Sequence, residues 1–129
     1  MTNQRQFDNH INRGNAVHEA AQGTGWIIGH FIPKEKGLQC DKDVEVKWGE
    51  HTKGDCREKI GISDTSTTLT LLVYGKYEVH FPDFDRHITL SERGDYVIYG
   101  PGVGHTWEVF EKSLLITVRW PLSMSGSHI

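Results

Sequence analysis

The chain has 129 residues, with 14 Lys or Arg against 17 Asp or Glu and a formal net charge of −3. A length of that order suits one domain with its own core and leaves no room for two. The slightly acidic balance gives no field for nucleic acid, and no apolar run nears the ~20 residues of a membrane span, so neither partner is expected.

The opening stretch MTNQRQFDNHINRGN has neither a basic segment nor an apolar one of secretory type, so a soluble, cytoplasmic protein is expected. Residues 1–24 read as a polar arm whose one helical hint is Asn15-Ala16-Val17-His18-Glu19-Ala20-Ala21. From Trp26 onward the pattern changes to short runs rich in β-branched and aromatic residues. They are Trp26–Ile32, Val44–Trp48, Thr67–Tyr74, Lys76–Phe81, His87–Leu90, Asp95–Tyr99, Thr106–Phe110 and Leu114–Trp120. Tyr77, Val79 and Phe81 alternate with Lys76, Glu78 and His80, while Leu115, Thr117 and Arg119 alternate with Leu114, Ile116, Val118 and Trp120. Turn chemistry separates the runs at Lys53-Gly54-Asp55, Tyr74-Gly75-Lys76, Pro82-Asp83, Arg93-Gly94-Asp95 and Gly100-Pro101-Gly102. Short strands at this spacing predict an antiparallel sandwich or closed barrel over residues 25–121, followed by a fraying tail, 122–129. Cys40 and Cys56 are too few for a disulfide framework and lack CxxC spacing, so two reduced thiols are expected, with a Cys40–Cys56 bridge in an exported protein as the alternative.

Gly94, the run Asp95–Tyr99 and then Gly100-Pro101-Gly102-Val103-Gly104-His105 resemble the second signature of the cupin family. Gly100 stands where the family usually has Pro, and Val109 where it often has Asn. The resemblance implies an all-β fold, the cupin jelly-roll β-barrel with its antiparallel double sheet. It also implies a homodimer paired through an N-terminal strand, for which the apolar Trp26–Phe31 is suited. In the family the signature His is a metal ligand, which would be His105. The first signature supplies an HxH and a Glu; counted from Gly54 and Gly75, those positions hold Ile60, Ile62 and Thr68. Ile and Thr cannot replace imidazole and carboxylate as ligands of a divalent cation. Glu45-Val46-Lys47-Trp48-Gly49, His51, Gly54, Arg57 and Arg119-Trp120-Pro121 are similar to a small cupin subgroup of unassigned function.

Two functions fit this pattern, and whether the protein is an enzyme stays open. One is a binding cupin that takes a small molecule in the lumen near His105, with a degenerate or absent metal site. The alternative is a metal-dependent enzyme of isomerase, lyase or dioxygenase type, with iron, zinc, manganese or nickel held by His105 and His51. A metal-free acid/base enzyme would use the same residues. The candidate catalytic residues are His105, His51 and Arg57; the candidate ligand-binding residues are Trp107, Tyr74, Thr68, Arg119 and Glu45. Alternation places His105, Trp107 and Val109 on one face of a strand. His51 shares parity with Glu45 and Lys47, which form either a solvated or interface-facing ladder or one wall of the pocket. The planar forks of Arg57 and Arg119 suit a carboxylate, and Trp107 with Tyr74 suits a planar or sugar-like molecule. His30 reads as a core or subunit-contact residue, and His80 and His87 as surface histidines.

Overall fold

The protein is described from a computed structural model that covers residues 10–23 and 25–121. Residues 1–9 of the expected arm and the tail expected to fray, 122–129, lie outside the described residues. In chain order the elements are helix α1 (Ala16–Ala21) and strands β1 (Trp26–Ile28), β2 (Glu45–His51), β3 (Cys56–Gly61), β4 (Ser66–Phe81), β5 (Arg86–Leu90), β6 (Tyr96–Tyr99) and β7 (His105–Pro121). 3-10 turns lie at Lys34–Gln39, where a kink at Gly37 separates two of them, and at Pro82–Phe84.

The helical hint becomes α1 because Asn15 caps it. Its Oδ1 accepts hydrogen bonds from the Val17 and His18 amides at 2.9 and 3.2 Å, and Glu19 reaches back to accept from the Asn15 amide. The helix lies against β1 and β2.

Two long strands, β4 and β7, pair antiparallel along nearly their whole length and belong to both sheets of the barrel. In the first sheet the order is β1, β2, the end of β7, the start of β4 and β6. In the second sheet it is β3, the start of β7, the end of β4 and β5. Both strands bend where they pass between sheets. Tyr74-Gly75-Lys76, expected as a hairpin turn, is that bend, and the runs on either side of it are one continuous strand. Gly75 has φ +110°, and a Cβ there would collide with Ser113 Oγ and the Lys112 carbonyl. Fully buried Ser113 bridges the irregularity: its Oγ accepts from the Lys76 amide at 3.0 Å and donates to the Glu111 carbonyl at 2.6 Å. The bend also shifts the alternation. Before it Thr68, Thr70 and Leu72 point inward; after it Tyr77, Val79 and Phe81 do.

One further expectation is corrected, and one strand was not expected. The run Trp26–Ile32 is a strand only to Ile28, after which Gly29 forms an isolated bridge with Cys40. Residues 56–61, which carry no apolar alternation, form β3, an edge strand that pairs only with β7 and is exposed except at Gly61. An edge strand of this kind is built from polar residues, which conceals it from hydrophobic patterning. The core sits between the sheets: Leu72, Tyr77, Val79, Phe81 and Leu90 from one side of the β4–β7 pair, with Val109 and Leu115 from β7 itself.

Candidate functional site

At the other end of the barrel the inward positions are polar, and they surround a cavity of about 210 Å³. Strand β7 supplies His105 and Trp107 from its first half and Thr117 and Arg119 from its second. Strand β4 adds Thr68, Thr70 and Tyr77, β6 adds Tyr99, β2 adds Lys47 and β3 adds Arg57. Register explains the convergence. Glu45, Arg119, Thr68 and Tyr99 are successive cross-strand neighbours in the first sheet. Arg57, Trp107 and Val79 form a matching row in the second. Gly61 lets the Arg57 side chain fold back, since a Cβ there would sit 2.9 Å from the guanidinium carbon. The Arg57 Nε–H donates to the Lys59 carbonyl at 2.9 Å, and the loop ahead of β7 is tied down by the Gly102 amide on the Ser63 carbonyl at 2.7 Å.

Lys47, Arg57 and Arg119 put three cations around this cavity, and among the described residues no carboxylate lines it. Glu45 stands behind Arg119 and accepts from its Nε at 2.6 Å and Nη2 at 2.5 Å; it also faces His30 Nδ1 at 3.3 Å. One carboxylate therefore offsets one of the three charges. Burial depresses the Lys47 pKa, and the neighbouring positive charges of Arg119 and Arg57 depress it further. Trp26 covers the pair from one side, with the Arg119 guanidinium 4.7 Å and the Lys47 ammonium 5.5 Å from its ring centroid.

His105 stands on the same side as Arg57, since Gly61, onto which the Arg57 guanidinium folds, is its cross-strand partner; its Nε2 is 3.2 Å from the Tyr99 hydroxyl. Burial holds its pKa below the ordinary imidazole value; Arg57 and Arg119 act the same way, and the Val103 carbonyl opposes them. Its Nδ1 is buried without a hydrogen bond of good geometry. Burial pushes the Tyr99 phenol up to about 12, so both members of the pair are neutral near pH 7. The cavity thus combines three cations, a neutral proton-handling pair and aromatic walls.

The sequence candidates separate on this geometry. His105, Arg57, Trp107, Thr68 and Arg119 all line the cavity. Glu45 stays behind Arg119 and does not line it. Lys47 does, so this face of β2 forms a wall and not a solvated ladder. His51 is corrected to a supporting position: its ring packs on Trp107 at 5.0 Å and its Nδ1 faces Asp55 at 3.6 Å. Tyr74 is corrected to the outside, 43 % exposed, because it falls at the irregularity beside Gly75. Tyr99, Thr70 and Thr117 were missed as site residues. The signal for Thr117 was its parity with Arg119, and for Tyr99 its place just before the Gly-Pro-Gly loop.

Solved structures share this fold. KdgF from Halomonas sp. superposes with a TM-score of 0.54 at 20% identity, over 61% of this chain and 70% of that one. A cupin superfamily protein from Desulfitobacterium hafniense DCB-2 gives 0.55 at 15% identity, over 63% and 70%. The cupin domain of Schizosaccharomyces pombe Cnp3 gives 0.56 at 13% identity, over 65% and 60%. The chain has the cupin fold. At these identities the likeness carries the fold and not the chemistry. No protein-family model and no curated protein matches the chain.

The cupin signature makes His105 a candidate metal ligand, but the lumen does not fit a divalent cation. His105 is the single imidazole among the lining residues, with no carboxylate among them and three cations around the same cavity. Of the positions that would carry the other ligands, Ile62 and Thr68 line the cavity, and the Ile60 Cγ2 methyl instead fills the space beside Gly104. His51 cannot complete a set, being turned to Asp55. Among the described residues one group brings three His, Cys, Asp or Glu ligand atoms together: Glu78, His80 and His87. No helix among the described residues is long and apolar enough to cross a membrane.

Proposed function

We propose that this cupin-fold protein binds a small anionic molecule in its lumen, without a metal there. The observation that carries the reading is the wall of Lys47, Arg57 and Arg119 with no carboxylate among the lining residues. Three like charges held together, one of them with a depressed pKa, lower their mutual repulsion when an anion enters. Arg57 and Arg119 offer planar forks for a carboxylate or phosphate. Trp26 and Trp107 supply apolar walls for the rest of the molecule, and the Thr68, Thr70 and Thr117 hydroxyls can hydrogen-bond its polar substituents. A volume of about 210 Å³ is below the ~300–1,000 Å³ of drug-sized sites, which favours a metabolite of few heavy atoms.

Acid/base chemistry on the bound anion is the second reading, favoured by the His105–Tyr99 contact. A neutral His105 can accept a proton from a molecule anchored by these cations, and the imidazolium formed would lie near Tyr99. A second copy of the chain is the proposed partner. β1 ends the first sheet, and the outer face beside it carries the apolar rows Val46, Val118, Leu69, Ile98 and Trp48, Ile116, Leu71, Tyr96. Sedimentation of Ile98→Lys should then show loss of dimer.

Calorimetric titration with short mono- and dicarboxylates, sugar acids and inorganic phosphate tests the lumen. At least one anion should bind with a stoichiometry of about one and weaken steeply as salt is added. Binding confined to neutral compounds, or indifferent to salt, would overturn the reading.

A further inference from the structure

We propose that the outer face of the second sheet carries a divalent transition-metal site, of the zinc class, built from Glu78, His80 and His87. The site is independent of the lumen. On β4, Tyr77, Val79 and Phe81 point into the core, so Glu78 and His80 point to the opposite face. On β5, His87 stands directly across from His80, and Thr89 across from Glu78. The four side chains therefore share one patch by register alone.

Their ligand atoms already converge. His80 Nε2 is 2.6 Å and His87 Nδ1 3.5 Å from the same oxygen, Glu78 Oε1. The two rings stack with centroids 4.2 Å apart, and one ligand atom from each of the three residues falls within 4.8 Å of the others. The Thr89 hydroxyl donates to Glu78 Oε2 at 2.8 Å, which orients the carboxylate and leaves Oε1 toward the imidazoles. Such an outer hydrogen bond is what holds a metal-ligating carboxylate in place. A tetrahedral ion with bonds of about 2.1 Å sets its ligand atoms about 3.4 Å apart, and a rotamer change at the 61 % exposed His87 side chain closes the remaining gap. The same exposure leaves a fourth position open to water. Two imidazoles and one carboxylate select zinc, nickel or copper over the oxygen-seeking calcium and magnesium.

A second observation points to a cation here. Glu108 on β7 lies directly across from Glu78 on the other side of β4. Like charges in that relation are destabilising. The ion pairs of Glu78 are with the two histidines, with no Lys or Arg among them. A divalent ion on Glu78 offsets this repulsion and clips the edge strand β5 to β4.

The test is equilibrium dialysis of the tag-free chain against Zn²⁺, with the visible spectrum of the Co²⁺ form as a second readout. The wild-type chain should bind about one equivalent and give a tetrahedral Co²⁺ spectrum, and zinc should raise its Tm. His80→Ala with His87→Ala should weaken binding at least about a hundredfold and abolish the spectrum. The near-isosteric Glu78→Gln, which keeps the test valid if the double variant does not fold, should weaken it at least about tenfold. His105→Ala should bind zinc as the wild type does. Absence of stoichiometric zinc on the wild type, wild-type affinity in the double variant or Glu78→Gln, or loss of the ion in His105→Ala would each overturn the site.

Discussion

The two ends of the barrel are built from the same two strands and differ in what those strands turn inward. At the packed end, Leu72, Leu90 and Val109 are 1–2% exposed and belong to one core cluster. At the open end the corresponding inward positions of β4 and β7 are Thr68, Thr70, Thr117 and Arg119. Thr68 and Thr70 are themselves only 7% and 4% exposed, so hydroxyls occupy places that leucines fill a few residues further on. Fold and function are thus divided along the strand axis. Apolar inner residues at one end provide the stability that lets the other end keep a cationic, incompletely filled lumen.

Substitutions that blur this division should have effects in a definite order. The largest is expected from Gly75→Ala, which places a Cβ against Ser113 and the Lys112 backbone at a left-handed φ. A loss of about 4 kcal/mol in denaturant unfolding is predicted, since the bend is shared by both strands. Leu72→Ala, 1 % exposed in the packed core, should cost about 3 kcal/mol in the same assay. Arg57→Met should leave stability nearly unchanged, because its side chain stands at the exposed mouth, while weakening anion binding by about tenfold in a calorimetric titration. The smallest effect is the pH dependence. His105 and His51 both have pKa values depressed first by burial. The unfolded chain therefore binds more protons than the folded one as pH falls below about 6.5, and stability should decline with acidification through that region. A Tm profile flat from neutral pH to the carboxylate range would contradict this, and His105→Gln should flatten it in part.

Much of the packed end was legible in the sequence, because apolar alternation reports inward residues within a straight strand. Tyr77, Val79 and Phe81 were placed on one face by that pattern and do form core. The alternation could not show that Gly75 bends a continuous strand, because a glycine with positive φ looks the same in a hairpin turn and in a bend. Tyr74 was misplaced for the same reason. β3 was invisible because its residues are charged and its partner lies nearly fifty residues away, a pairing no local pattern encodes. At the open end His105, Trp107 and Arg119 could be read from motif and parity. Lys47 could be read to one face but not to inside or outside, since a polar inner wall and a polar outer wall share one alternation. The Glu78, His80 and His87 group was hidden differently: each is an ordinary surface residue until register sets β5 beside β4.

The most direct measurement is a heteronuclear NMR titration of the full chain with whichever anion binds in calorimetry, following the histidine rings and tryptophan indoles. The account predicts saturable shifts at His105, Trp107 and Trp26, none at His80 and His87, and loss of those shifts in Lys47→Met with Arg57→Met. Shifts confined to His80 and His87, or shifts at His105 that survive removal of both cations, would contradict a cationic lumen as the binding site.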